Sequence, residues 1–385
     1  MEPLLIPVDT PEMPELQDLA LQLATSSAGF RRSLPSGIVS ALADLVRSMN
    51  CYYSNLIEGH HTHPIDIERA LGGDYSHEPE KRDLQLEAKA HIEVQRWIDA
   101  GGIGGSAVSV TSLREIHRRF SENLPIALRR VTNPETQEIA SVVPGETRRR
   151  DVRVGRHLAV SAGAVPRFLD RFETAFGSLS RSEQILSVAA AHHRLLWIHP
   201  FLDGNGRVAR LMSHAMLLDL VETGGIWSIA RGLARRESEY KTHLSNCDQP
   251  RESAVDGRGA LSLRALIQFT RFFLQTSLDQ VRFMEELVQP DRLRVRIMQW
   301  ANEEIQLGKL PDRSASVLEA ILYRGELPRA DVAATLGIGD RQARRVVASL
   351  VERRIVQSAS SRAPLKLAFP AELASRWMPG LFPER

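Results

Sequence analysis

The chain has 385 residues, more than one ordinary domain holds and enough for two or three with a sizeable core. Its 43% hydrophobic, 25% charged, and 6% aromatic content is that of a globular protein, and no apolar run approaches the ~18 residues of a membrane-spanning helix, so a role in the membrane is excluded. A formal net charge of +2 gives no polyanion-binding role from the total alone; Met1-Glu2-Pro3 lacks a secretory leader pattern, and Cys51 and Cys247 are too few for a disulfide framework, so a cytoplasmic protein with free thiols is expected.

Up to about Pro14 the chain is rich in proline and acid, the composition of an arm outside the core. Helical spacing follows. Leu16, Leu19, Ala20, and Leu23 predict one helix, Ile38, Leu42, Leu45, and Val46 a second, and residues 84–98 a third, each with apolar side chains three or four apart. Glycines in 101–106 close this N-terminal helical region, residues 1–110. From Thr111 a helix runs through Leu113, Ile116, and Phe120 towards Pro125. Residues 142–154, with Pro144-Gly145 and alternate Val152 and Val154, read as a hairpin or exposed flap. Helices are predicted again at 165–176, 182–196, and 206–220, within a core of residues 111–250. A polar, glycine-containing loop at 246–259 leads to an apolar helix at 261–274. Pro290 and residues 308–311 then punctuate the connecting helices of 251–312 on the way to a separate unit, residues 313–385. That last unit has 12 basic and 7 acidic side chains, so the basic excess is C-terminal. Arginine is abundant throughout, and the cluster Arg148-Arg149-Arg150 signals nothing by itself.

The densest chemical pattern is His199-Pro200-Phe201-Leu202-Asp203-Gly204-Asn205-Gly206-Arg207-Val208-Ala209-Arg210. Gly204, Asn205, and Gly206 tolerate left-handed backbone angles, so successive N–H groups can turn inward as an anion nest before a helix that begins near Arg207. The dipole of that helix favours the same anion. Arg207 and Arg210, three apart, can share a helix face and fork onto phosphate oxygens. Asp203 is a hard oxygen ligand for magnesium, and His199 is suited to take a proton from an attacking hydroxyl.

Together these residues match the signature HPFx(D/E)GNGRxxR without departure, and over roughly residues 111–250 the chain resembles the Fic family. The resemblance implies a mainly α fold, a helical core with a β-hairpin flap over the site. It also implies transfer of AMP from ATP to a Ser, Thr, or Tyr hydroxyl of a target protein, the chain itself included. His199 would be the general base, Asp203 would hold Mg2+, and Gly204, Asn205, and Gly206 would grip the α- and β-phosphates. Arg207 and Arg210 would orient the phosphate chain, Arg210 towards its γ end. Residues 144–157 correspond to a flap that pairs with an extended stretch of the target. Tyr240 lies where relatives place an aromatic near adenine, although a plain core or surface tyrosine fits the sequence equally well.

Upstream, Ser54-Asn55-Leu56-Ile57-Glu58-Gly59 puts Ser54 and Glu58 on one helix face with Gly59 at its end. It is similar to the family's inhibitory motif (S/T)xxxE(G/N). The implied mechanism is an ion pair from Glu58 to Arg210 in the γ-phosphate position; in some relatives this glutamate also supports removal of AMP from the target. Neither His192, His193, and His199 nor His60, His61, and His63 come with paired cysteines or a His-Glu-x-x-His spacing, so packing is the reading preferred over a zinc site. There is no P-loop motif.

In the tail, a helix at 314–323, a second segment with a turn at Gly337, a helix at 340–353, and strand-like residues 355–367 resemble a winged helix-turn-helix domain. Arg341, Arg344, and Arg345 would project from its second helix, towards duplex DNA or simply into solvent. A DNA-binding regulator with the Fic core as nucleotide sensor, and transfer of another nucleotide or a phosphate, stand as the alternatives to AMP transfer. Self-association into a homodimer is left open by the helical pattern.

Overall fold

The computed structural model describes all residues except Pro134, Glu135, Arg156, Glu384, and Arg385, and its fold is mainly α. In chain order the helices are α1 (Met13–Arg32), α2 (Ser36–Ile57), α3 (Pro64–Leu71), α4 (Pro79–Asp99), α5 (Val110–Glu122), α6 (Val165–Gly177), α7 (Arg181–Ile198), α8 (Asn205–Leu220), α9 (Ile229–Arg235), α10 (Glu237–Cys247), α11 (Leu263–Leu287), α12 (Pro290–Gln306), α13 (Ser314–Arg324), α14 (Val332–Leu336), α15 (Asp340–Glu352), and α16 (Ala374–Trp377). The strands form antiparallel pairs: β1 (Arg130–Thr132) with β2 (Ile139–Ser141), β3 (Arg153–Val154) with β4 (His157–Leu158), and β5 (Val356–Gln357) with β6 (Lys366–Leu367). Among the described residues, no helix is long and apolar enough to cross a membrane. Cys51 and Cys247 are buried and unbridged.

Local chemistry sets where helices begin. Pro64, Pro79, and Pro290 open α3, α4, and α12, where the fixed φ of proline suits the first turn and its missing N–H is not needed. Pro290 therefore starts a helix where the sequence reading took it as a break. α7 opens with a reciprocal cap, the Ser180 N–H donating to Glu183 Oε2 at 2.9 Å.

Two compact units result, neither a single stretch of chain: Met1–Ala28, Asn50–Thr223, and Ser228–Gln280 in the first, and Gly29–Met49, Gly224–Trp227, and Val281–Arg385 in the second. At the centre of the first unit α7 packs along α8, with α4 and α5 against α8 and α6 against α7. Small residues of the two helices, Ala189, Ala190, and Ala191 on α7 and Ala209 and Ser213 on α8, are all buried. Both helices are covered almost all round, which makes them core helices rather than amphipathic surface ones.

The proline-rich start is not a free arm. Met1 and Leu4 are buried, and the Pro3 carbonyl accepts hydrogen bonds from Arg194 Nε (3.0 Å) and Nη2 (2.8 Å). A guanidinium buried on α7 needs acceptors, and a segment barred from helix formation by proline has carbonyls to offer.

The hairpin signal is also displaced. Pro144-Gly145 forms a turn rather than a hairpin tip, with Gly145 at φ 77, and the strands lie on either side of it as β1–β2 and β3–β4. Gly155, at φ 57, opens the β3–β4 connection; Arg156, part of the expected flap, lies outside the described residues.

In the second unit, α13, α14, and α15 follow one another with a left-handed turn at Gly337 (φ 63), and β5–β6 comes next. Trp300 on α12 meets Trp377 on α16 edge-to-face, with ring centroids 5.1 Å apart. On α15, Ala343, Val346, Val347, and Leu350 face inward, while Arg341, Arg344, and Arg345 are exposed.

Several histidines of the first unit are buried, among them His91, His117, His192, His193, and His214. Burial is the main cause that pulls His91 and His192 down to about 3 and His117 and His193 to about 4, from an ordinary 6.5. Such groups are neutral when folded and take up protons on unfolding, so the stability they contribute is complete above pH 6.5 and is lost as pH falls towards 4, by up to about 1.4 kcal/mol per pH unit for each group. Calorimetric melting should therefore show Tm falling steadily between pH 7 and pH 4, and a flat profile would contradict the burial of neutral imidazoles.

Candidate active site

α7 ends at Ile198, and His199 takes left-handed angles (φ 50, ψ 62) that turn the chain towards α8. The loop between is closed by Asn205, whose Oδ1 accepts the Phe201 N–H at 2.9 Å and whose Nδ2 donates to the Phe201 carbonyl at 2.8 Å. His117 of α5 supports the loop from below. Its ring stacks on Phe201 with centroids 4.0 Å apart, Nδ1 accepts the Gly145 N–H at 2.9 Å, and Nε2 therefore carries the proton donated to the Asp203 carbonyl at 3.2 Å.

The expected nest takes a different form. α8 starts at Asn205, two residues earlier than the spacing suggests, and of the three residues only Gly204 is left-handed (φ 80). The first bond of the helix runs from the Val208 N–H to the Gly204 carbonyl at 3.0 Å. The N–H groups of Asn205, Gly206, and Arg207 thus belong to an open first helical turn, itself an anion-binding arrangement.

A carboxylate occupies that turn. α2 ends at Ile57, and in the turn after it, with Gly59 at φ 84, the His60 N–H bonds to the Asn55 carbonyl and the Gly59 N–H to the Leu56 carbonyl, leaving Glu58 at the helix end. Arg210 Nε donates to Ser54 Oγ at 2.8 Å, and Nη2 donates to the Ser54 carbonyl at 3.1 Å and to Glu58 Oε1. A Cβ at Gly206 would fall on Glu58 Oε1, so only glycine leaves room for the carboxylate over the turn. Burial pushes Glu58 up, but the charges of Arg210 and Arg207 and the Arg210 hydrogen bond outweigh it and hold the carboxyl below its ordinary range. Glu58 is an anion here.

Arg207 does not share the partners of Arg210. It pairs with Glu87 of α4, reaches Asp203 Oδ2 at 3.3 Å, and lies 4.9 Å over the Phe120 ring. Glu87 is 1% exposed and also meets His60 Nδ1 at 2.7 Å. The sequence reading missed Glu87, although a signal existed: it sits on the helical stripe of His91, Val94, and Ile98, all buried. Arg148 was likewise passed over as one of three arginines, yet its side chain is fully buried while Arg149 and Arg150 are exposed.

A cleft of about 870 Å³ opens beside the turn, lined by Glu58, His199, Gly206, and Arg210 on one side and by Val154 and His157 of the hairpin on another. Tyr240 is on its wall, buried, with its hydroxyl 2.7 Å from His192 Nε2; burial pushes the phenol up to about 12. His199 is pulled down to about 4, first by burial and further by Arg148 and His157, against the opposing effects of a backbone hydrogen bond and Glu58. It is a neutral base near pH 7.

His199, Gly204, Asn205, Gly206, Arg207, Arg210, Asp203, Tyr240, Ser54, and Glu58 are thus gathered in one unit. Arg341, Arg344, and Arg345 belong to the other. Among the described residues no three His, Cys, Asp, or Glu side chains converge as a metal cage. His192 and His193 are engaged with Ser213, Tyr240, and Asp248, and His63 caps α3.

The Fic/DOC family model matches residues 107–217. The protein adenylyltransferase Fic of Drosophila erecta is 29% identical over 125 residues, and that of Drosophila melanogaster 30% over the same length; each match covers 32% of this chain and 22% of the relative. The chain therefore spans about a fifth of the length of the curated relatives it matches. A solved Fic family protein from Desulfovibrio desulfuricans G20 covers 94% of this chain and 98% of its own, with 16% identity and a TM-score of 0.54, a likeness of fold. The chain thus carries, at residues 107–217, a domain that matches the Fic/DOC family model, with its signature loop braced between α7 and α8.

Proposed function

We propose that the protein transfers AMP from ATP to a Ser, Thr, or Tyr hydroxyl of a protein substrate and that Glu58 holds it off at rest. The observation that carries this reading is the Glu58 carboxylate on Arg210, seated over the first turn of α8 in the same cleft as His199. The names of the matched relatives, protein adenylyltransferases, support it.

In the proposed reaction the substrate hydroxyl attacks the α-phosphorus in line, its proton passes to neutral His199, and the bond to the pyrophosphate oxygen breaks. The N–H groups of the α8 turn and Arg210 hold the phosphates, and Arg207, fixed by Glu87, adds positive charge beside them. Tyr240 walls the end of the cleft proposed for the base. Asp203, a lone carboxylate beside the turn, fits a magnesium ion coordinated mostly by nucleotide phosphates and water, which would supply counter-charge to the leaving pyrophosphate. Val154 and Leu158, both exposed on the hairpin, offer a strand to an extended target segment.

Glu58 opposes ATP twice, by filling the volume of a terminal phosphate and by repelling its charge. Held ionised by Arg210, it is also placed to activate water for removal of AMP. A second reading, a DNA-binding regulator, has one supporting observation, the three arginines exposed along α15. It requires salt-dependent duplex binding that is lost when Arg341, Arg344, and Arg345 are replaced.

With α-labelled ATP and magnesium, Glu58→Gly should label itself or lysate proteins about 10-fold or more above the unaltered chain, the factor that 1.4 kcal/mol represents. Adding His199→Ala should remove roughly 10²- to 10⁴-fold of that signal. Equal labelling with and without Glu58 would end the inhibition claim. The acid limb of kcat/KM for ATP in Glu58→Gly, which reports the ligand-free enzyme, should have its midpoint near pH 4, since loss of Glu58 removes an influence that raises His199 while burial, Arg148, and His157 still lower it. A midpoint near the ordinary value of about 6.5 would mean that His199 is not the buried base described.

A further inference from the structure

We infer that Arg148 is the positioning residue of the His199 base and that it ties this base to the β3–β4 hairpin. The inference rests on the proposed role of His199. His199 is a non-glycine residue in left-handed backbone, a conformation that persists only where the surroundings impose it. Arg148 imposes it from the flap side. Its Nε donates to the His199 carbonyl at 2.7 Å and its Nη2 to the Ile198 carbonyl at 3.4 Å, while its own backbone N–H donates to the Pro200 carbonyl at 2.9 Å. The same guanidinium holds the other side too, with Nη1 on the Arg150 carbonyl at 2.8 Å and Nη2 on the Val160 carbonyl. These two carbonyls flank the hairpin of residues 153–158.

Its acidic neighbour Asp151 is 3.9 Å away and largely exposed, so neutral carbonyls do most of the holding. A planar fork with five donors can serve carbonyls in several directions at once, which a lysine ammonium on its flexible stem cannot reproduce. The guanidinium also lies at the C-terminus of α7, where the helix dipole favours a cation. Arg148 makes no hydrogen bond to Arg207, Arg210, Glu58, or Asp203 among the described residues, so its effect on the phosphate site runs through His199.

The test compares Arg148→Gln and Arg148→Lys with their parent in the Glu58→Gly chain, measuring kcat and KM for ATP. Both should lose about 100-fold in kcat, the cost of misplacing a catalytic group by an ångström or so, with KM for ATP held within about threefold. A folded Arg148→Gln that keeps kcat within about threefold of its parent, or whose loss lies wholly in KM, overturns the inference. If neither variant folds, hydrogen exchange in the parent decides. The amides of Ala159, bonded to the Val152 carbonyl, and His199, bonded to the Leu195 carbonyl, should open with one shared free energy. Separate openings sink the tie. If the Glu58→Gly parent transfers no AMP, the proposed function fails, while the exchange result still judges the tie by itself.

Discussion

A buried guanidinium must find acceptors, and the middle of an α-helix has none to spare because its carbonyls already bond along the helix. Among the arginines that the first unit buries are Arg148, Arg194, Arg207, and Arg210. Each has partners on an element other than its own. Arg194 takes the Pro3 carbonyl and so draws the N-terminal segment onto α7; Arg210 takes Ser54 and Glu58 and fixes the end of α2; Arg207 takes Glu87 of α4; Arg148 takes carbonyls from both sides of the hairpin and from the end of α7. Desolvating such a charge costs several kcal/mol unless its partners are in place. The arrangement of segments around α7 and α8 is in that sense a solution to the desolvation of these charges.

Two of these charges meet three carboxylates beside the first turn of α8, and the carboxylates differ in kind. Glu87 is 1% exposed and holds both Arg207 and His60, which makes it a fixed part of the frame. The Glu58 side chain is 30% exposed and sits at a helix end over a turn that has no side chain beneath it. A ligand that brings its own negative charge can displace the second more readily than the first. The site therefore has a permanent counter-ion for one arginine and a replaceable one for the other.

Much of the site was legible in the sequence because its parts are local. Residues 199–210 carry their chemistry in consecutive positions, and Ser54 and Glu58 reach Arg210 because a four-residue spacing puts both on one helix face. The limits of the helices were legible through apolar spacing, proline, and caps. What escaped depends on distant partners. Glu87 and Arg207 are 120 positions apart, and nothing in the neighbourhood of either announces the other. Arg148 reads like Arg149 and Arg150 until burial separates them. The start of the chain reads as an arm because proline and acid predict solvent, whereas distant partners, Arg194 with the Pro3 carbonyl and Arg171 with Glu2, hold it inward. Asn205 was assigned to phosphate by its place in the signature; the further use of its side-chain amide, to close the loop on Phe201, was not legible there.

The position of Glu58 at the last turn of α2 has an electrostatic consequence. The carboxyl end of a helix carries partial negative charge and the amino end partial positive charge, so an acidic residue closing α2 is at the unfavourable pole of its own helix. Its side chain crosses to the first turn of α8, the favourable pole of another. Glu58 thus acts as an anionic bridge between the tail of one dipole and the head of the next. When a phosphate takes over the head of α8, this carboxylate is returned to the pole that repels it, and solvent becomes its better surroundings. In the proposed function, occupation of the turn by a nucleotide would thus drive Glu58 outward instead of merely displacing it.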